Sequence, residues 1–402
     1  MKRKSTLFVF VLLLSILIVA CDESTSSTDE GAAGNDSEVL KVGVIAPLSA
    51  GGAGWGVPIQ YGVEIAAEEI NESGGLEVDG KNYSIEVIAY DDQYIADEAV
   101  NAVNRLVYED EVDFIVGTIG SAGVLGMQQI TEQNEVILMA NSYATKSLSP
   151  DKPFTFRIMP TNVEWGQELV GYLHENYPEH RKVAFISPND ESGWEVHEIA
   201  EEDFKLYDDY EIVTSEFPER ETQDYNPLLT KIMNTDADII AFGGTSPGEI
   251  ALAMNQARAL GYEGLFTSFS GQAIFETIEV TGENSEGYVF YLQTDYNTPE
   301  TQEFFDKYLS TGKYNENYLL NVPDWYDGAH VLLNGIKEAD SLDTTEVAEA
   351  IRNMGVYEGL GGEWSWTGEE FYGINQQITK DAVIGEVRGG EPTVVDVRKI
   401  EK

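Results

Sequence analysis

From residue 41 to residue 242, short apolar runs alternate with helix-spaced apolar positions at the interval of βαβ units, and the series occurs twice in succession. In the first series, residues 41–46 read as a strand. The Gly-rich turn of residues 51–56 carries Trp55, and Ile59, Val63, Ala66, Ala67 and Ile70 recur at helical spacing until Asn71 and Gly74-Gly75 stop the helix. Residues 85–90, 114–117 and 136–139 read as further strands, short and apolar as in sheets covered on both faces. The second series opens near Arg157 and gives strands at 183–186, 212–213 and 239–242. Its clearest helix starts with Ser246 as N-cap, Pro247 at the first helical position and Glu249 closing a capping box, and ends at Gly261. Two such series predict an α/β protein of two Rossmann-like lobes. The later segments (strands at 288–292, 378–384 and 394–397, helices near 303–309 and 331–336) must complete both lobes, so the chain crosses between them more than once.

The N-terminus carries a separate signal. Lys2, Arg3 and Lys4 precede an apolar run at residues 7–20, which is shorter than the ~20 residues of a membrane span and reads as a secretory signal. Cys21 follows Ala20 directly, an arrangement that resembles a bacterial lipobox and implies a diacylglyceryl group on Cys21. Residues 22–38 contain Ser, Thr, Gly, Ala, Asn and acids before the first large apolar residues, a composition that predicts a flexible tether. The expected plan is a signal peptide at 1–20, a lipidated cysteine and tether at 21–38, and a globular part held outside the cell at the cytoplasmic membrane.

Charge and chemistry narrow the function. The chain has 24 basic against 71 acidic residues and a formal charge of −47, which argues against electrostatic binding of nucleic acid or anionic lipid. A surface this acidic suits an organism living at high salt or high pH. Cys21 is the only cysteine, so no disulfide forms within the chain. His174, His180, His197 and His330 lack ligand spacing, no zinc or calcium motif is present, and neither a metal nor a cofactor is predicted. The 51–56 turn fits neither a P-loop nor GxGxxG, and no GxSxG elbow occurs, so an enzyme is not expected.

In open α/β sheets ligands sit beyond the carboxyl ends of the strands. The loops expected there are the turn with Trp55, residues 118–123 with Ser121, and residues 141–145 with Tyr143 and Thr145. In the second series they are residues 189–194 with Ser192, 243–246 with Thr245, and 268–272 with Ser270. Hydroxyls, amides and helix N-termini suit a small polar or anionic group, and the aromatics suit an apolar remainder.

Residues 45–51 (IAPLSAG) with Trp55-Gly56, 66–75 (AAEEINESGG), Tyr90-Asp91-Asp92 and 244–261 ending QARALG together resemble the branched-chain amino acid binding proteins of ABC importers, which have the type I periplasmic-binding-protein fold. The resemblance runs from about Val39 to about Asp396. It implies two lobes joined by three crossovers near Pro160, Glu286 and Gln376, giving residues 39–159 and 287–375 to lobe 1 and 160–286 and 376–402 to lobe 2. It implies a monomer that passes its ligand to an ABC permease with ATPase subunits. Ser121, Tyr143 and Thr145 match positions that hold the ligand's carboxylate, and Trp55 matches one that packs on its side chain. Ser270 stands where the family has an acid for the ligand's amino group, and Ser192 and Thr245 replace aromatics. Either another acid (Asp190, Glu191 or Asp324) takes that role, or the ligand is a short amide or an aromatic or aliphatic carboxylate. A ligand sensor of the same fold is the rival reading; it would carry a membrane helix or signalling domain after the lobes, and the residues up to Lys402 read as neither.

Overall fold

The computed structural model describes residues 38–49, 52–270, 273–319 and 321–400. Cys21, the apolar run and the expected tether lie outside these residues, apart from Glu38, which already pairs in the first strand. No helix among the described residues is long and apolar enough to cross a membrane.

The first series gives β1 (Glu38–Ala46), α1 (Ala53–Glu72), β2 (Leu76–Val78), β3 (Lys81–Asp91), α2 (Ala96–Tyr108), β4 (Phe114–Ile119), α3 (Ser121–Gln133), β5 (Ile137–Asn141) and β6 (Thr155–Arg157). The second gives α4 (Asn162–Asn176), β7 (Lys182–Ile186), α5 (Glu191–Lys205), β8 (Glu211–Glu216), α6 (Asn226–Met233), β9 (Ile239–Gly243), α7 (Pro247–Ala259), β10 (Leu265–Phe269), α8 (Ile274–Thr281) and β11 (Val289–Leu292). Then follow α9 (Pro299–Leu309), α10 (Glu316–Leu319), α11 (Pro323–Ala339), α12 (Thr344–Asn353), β12 (Tyr357–Gly359), β13 (Gly362–Thr367), α13 (Glu369–Tyr372), β14 (Gln377–Thr379), β15 (Ala382–Arg388) and β16 (Glu391–Arg398).

Two sheets result. One has the order β12-β13-β14-β6-β5-β4-β1-β3-β2, the other β16-β15-β11-β10-β9-β7-β8. Their centres are parallel; antiparallel strands stand at both edges of the first sheet and at one edge of the second, whose other edge, β8, is parallel. The apolar runs read from the sequence explain this: β4, β5, β9 and β10 are buried along their whole length, as strands covered by helices on both faces must be. The protein is thus a two-lobed α/β fold, as expected. Ser246 caps α7 with the reciprocal Glu249 capping box, and Gly261 has the positive φ of a helix stop.

Three local expectations need correction. Within the turn expected at 51–56, whose Gly51 lies outside the described residues, Gly54, Trp55 and Gly56 instead form the first turn of α1. A Cβ on Gly56 would overlap the Pro47 carbonyl, so glycine is what lets the helix start this close to β1. The second crossover does not precede β11. Val289–Leu292 pairs with both β10 and β15 in the second sheet, so the chain crosses after Leu292. The apparent strand at 378–384 is two strands. β14 bonds β6 and β13 in the first sheet, β15 bonds β11 and β16 in the second, and the third crossover is only Lys380-Asp381.

The crossovers are bonded to one another. The Gln377 side chain donates to the Met159 carbonyl at 3.1 Å, linking the third to the first. Asp324, in the first turn of α11, accepts from Thr294 Oγ1 of the second crossover at 3.1 Å and forms an ion pair with Lys380 of the third.

Candidate functional site

The loops at the carboxyl ends of the two sheets face each other and touch. From the first sheet come Trp55 at the start of α1, Ser121 at the start of α3, and Tyr143 and Thr145 after β5; from the second come Ser192 in α5, Thr245 after β9 and Ser270 after β10. All are buried except Thr145, which is half-buried.

Ser121 is central. Its Oγ accepts from the Ala144 backbone N–H at 3.0 Å, tying the β4 and β5 loops together, while its own N–H donates across the cleft to Ser192 Oγ at 3.4 Å. The Thr145 N–H donates to Glu195 Oε2 at 2.7 Å, and Lys146 Nζ reaches Glu191 Oε1 at 2.5 Å. Both acids belong to α5, so one helix of the second lobe bonds the β5 loop of the first. Tyr143 lies in the buried cluster of the second sheet that includes Trp165, Phe185 and Phe269, so its ring anchors the lobes to each other. Thr245 donates its N–H to Ser270 Oγ at 3.0 Å and its hydroxyl to the Ile186 carbonyl at 3.1 Å. These two residues therefore brace the second-sheet loops against each other.

Trp55 packs with its ring centroid 5.5 Å from that of Tyr94, and Arg220 of the second lobe stands 5.3 Å over the Tyr94 ring. Tyr94 also lies against Gly120, which has φ +106° and leaves no room for a Cβ beside the ring. Two small cavities line the cleft. One of about 30 Å³ lies between Asp92, Tyr94, Gly120 and Ser192; one of about 10 Å³ lies between Gly54, Trp55, Gln293 and Asn321. Both are water-sized. Asp92 borders the larger one; it accepts a hydrogen bond from the Thr118 hydroxyl, and burial raises its pKa to about 6.

The three acids considered for a ligand amino group are all committed. Asp190 caps α5 by accepting from the Gly193 N–H and pairs with Arg220 at 2.6 Å; Glu191 pairs with Lys146; Asp324 pairs with Lys380 at the crossovers. Sequence reading missed two others. Glu195 is the acid on Thr145. Glu276, in the first turn of α8, lies against Gly54, where any Cβ would overlap its Oε2; that oxygen is buried with no hydrogen-bond partner among the described residues, and burial raises the carboxyl's pKa. The buried Asn321 Nδ2 is unpartnered as well. Against 71 acids no single Glu stands out in the sequence. Among the described residues no three His, Cys, Asp or Glu side chains are grouped as a metal site.

A family model described as periplasmic binding protein matches residues 39–391. The chain is 25% identical over 337 residues to Leu/Ile/Val-binding protein homolog 2 of Brucella abortus (strain 2308), covering 81% of this chain and 86% of the relative. It is 26% identical over 320 residues to the leucine-, isoleucine-, valine-, threonine- and alanine-binding protein of Pseudomonas aeruginosa, covering 79% and 83%. The fold superposes on a leucine binding protein, LivK, of Thermotoga maritima with TM-score 0.77 at 24% identity, covering 90% and 99% of the two chains. It superposes on a solute binding protein of an ABC transporter from R. palustris in complex with benzoate with TM-score 0.76 at 17% identity, covering 89% and 96%.

Proposed function

The chain belongs to the periplasmic binding protein family, and from that premise we propose that it captures a branched-chain amino acid or a similar small molecule between its lobes and delivers it to an ABC permease. The ATPase subunits would be separate chains, and lipid on Cys21 would hold the protein at the outer face of the cytoplasmic membrane. The observation that carries this reading is the meeting across one cleft of Ser121 and Thr145 of the first lobe with Ser192 and Glu195 of the second.

In this reading Ser121 and the Thr145 N–H and hydroxyl receive the ligand's carboxylate, and Trp55 packs on its apolar side chain. Glu276 takes its ammonium group: a buried carboxylate oxygen without a partner gains most from a cation. The relatives named for leucine, isoleucine and valine support an amino acid. A second reading, an aromatic carboxylate without an amino group, draws on Ser270 standing where the resemblance puts an acid, and on the likeness to the benzoate-bound protein.

A thermal-shift series on the purified protein in high salt separates the two, because a ligand that binds the folded state raises the melting temperature by mass action. Stabilisation by leucine, isoleucine or valine is the expected result. Stabilisation by benzoate or 4-hydroxybenzoate alone would overturn the amino-acid reading in favour of the second.

A further inference from the structure

The start of α5 is a clasp. Asp190 caps the helix and is fixed in turn by Arg220. Residues 191, 192 and 195 then lie on neighbouring turns of one face, and each bonds the first lobe: Glu191 to Lys146, Ser192 to the Ser121 N–H, Glu195 to the Thr145 N–H. The three contacts are unequal. Lys146 is exposed, and an ion pair there contributes little. The Ser192 bond is long at 3.4 Å. The Glu195 bond, at 2.7 Å from a half-buried carboxylate to a backbone N–H, is charge-assisted and the strongest.

That N–H is also the donor at which the proposed function seats the ligand's carboxylate. One N–H cannot serve two carboxylates at this distance, and two anions would repel each other there. We propose that Glu195 is a built-in competitor of the ligand: with the lobes together, its carboxylate sits on the donor that a ligand carboxylate must take. The inference rests on the reading of Thr145 as the carboxylate position. Binding then exchanges one carboxylate for another at Thr145, and the apparent affinity is reduced by the share of molecules already closed on Glu195. A ligand without a carboxylate has no claim on that N–H and leaves Glu195 in place. Glu195 thereby sets both the affinity for carboxylate ligands and the compactness of the unliganded protein.

The test compares the wild type with Glu195→Ala and Glu195→Gln, using L-leucine and its carboxylate-free counterpart leucinol as calorimetric probes. Removing the competitor is expected to tighten leucine binding by about tenfold, the size of one charge-assisted hydrogen bond, with leucinol unchanged and Gln intermediate because its amide oxygen still accepts. Weaker leucine binding by Glu195→Ala, or an equal gain for both probes, overturns the inference. Small-angle scattering of the unliganded proteins is the second measurement. Glu195→Ala is expected to be more open than the wild type, and an unchanged profile overturns the inference. If no variant binds leucine, the amino-acid reading fails on its own account, and the scattering alone decides whether Glu195 holds the cleft shut.

Discussion

At the crossovers, Lys380 and Asp324 face each other with 2% of either side chain exposed, and Thr294 donates a further hydrogen bond to the same carboxylate. In the cleft, Glu276 keeps a buried oxygen and Asn321 a buried nitrogen without partners, and Glu195 is bonded to a donor that the ligand is proposed to need. Both regions bury charge between the lobes. At the crossovers Asp324 and Lys380 compensate each other inside the protein. In the cleft the compensation is incomplete or exchangeable, so an incoming polar molecule of the proposed kind would find atoms there to pair with. A buried ion pair stabilises little relative to apolar packing, but breaking it strands a charge. The same physics makes the hinge intolerant of change and the cleft responsive.

The sharpest way to break this comparison is Lys380→Met. It leaves Asp324 buried and unpaired and is expected to destabilise the protein by about 3–5 kcal/mol, read from denaturant unfolding. A loss of less than about 1 kcal/mol would mean that water reaches the pair and that the hinge is no better sealed than the surface. The corresponding change in the cleft, Glu276→Gln, removes a charge that has no partner. Burial raises this carboxyl's folded pKa above its usual value, so the folded state favours the protonated form and stability falls as pH rises from the ordinary glutamate range through the raised value. The Gln variant is therefore expected to lose that stretch of pH dependence and to be the more stable protein at neutral pH. It is also expected to bind leucine about tenfold less tightly while leaving the affinity for 4-methylpentanoate, which lacks the amino group, unchanged. Equal losses for both ligands would remove Glu276 from ammonium recognition.

The hinge and the cleft differ as much in how far the sequence discloses them. Strand interiors are legible because continuous apolar runs such as Phe114-Ile115-Val116 admit few alternatives, and the cap at Ser246 is legible because Ser, Pro and Glu at fixed offsets have one mechanical meaning. The loops that form the cleft follow from the strands. The split of 378–384 between two sheets was not legible. Lys380 interrupts the apolar run, but one lysine in a strand pattern reads as a solvent-facing position, and only the tertiary fold supplies Asp324 as its partner from 56 residues away. Glu195 and Glu276 are hidden for the opposite reason. With acids in such excess, these two cannot be told from those that face water, because burial is a property of packing and not of composition.

That surface excess offers the gentlest test of the same distinction. The net charge is −47, the acids of the described residues are mostly exposed or half-buried, and their mutual repulsion is screened by salt over a Debye length of ~3 Å at 1 M against ~10 Å at 0.1 M. Raising NaCl from 0.1 to 1 M is expected to stabilise the wild type by about 1 kcal/mol, a rise of about 1–2 °C for a chain of this length. The hinge pair is shielded from solvent ions, so Lys380→Met should show the same salt increment from its lower starting point. If instead salt recovered part of the variant's lost stability, mobile ions would be compensating Asp324, and the hinge would belong with the surface. If the wild type ignored salt altogether, the acidic surface would be neutralised within the fold, and its link to a saline or alkaline habitat would lose its physical basis.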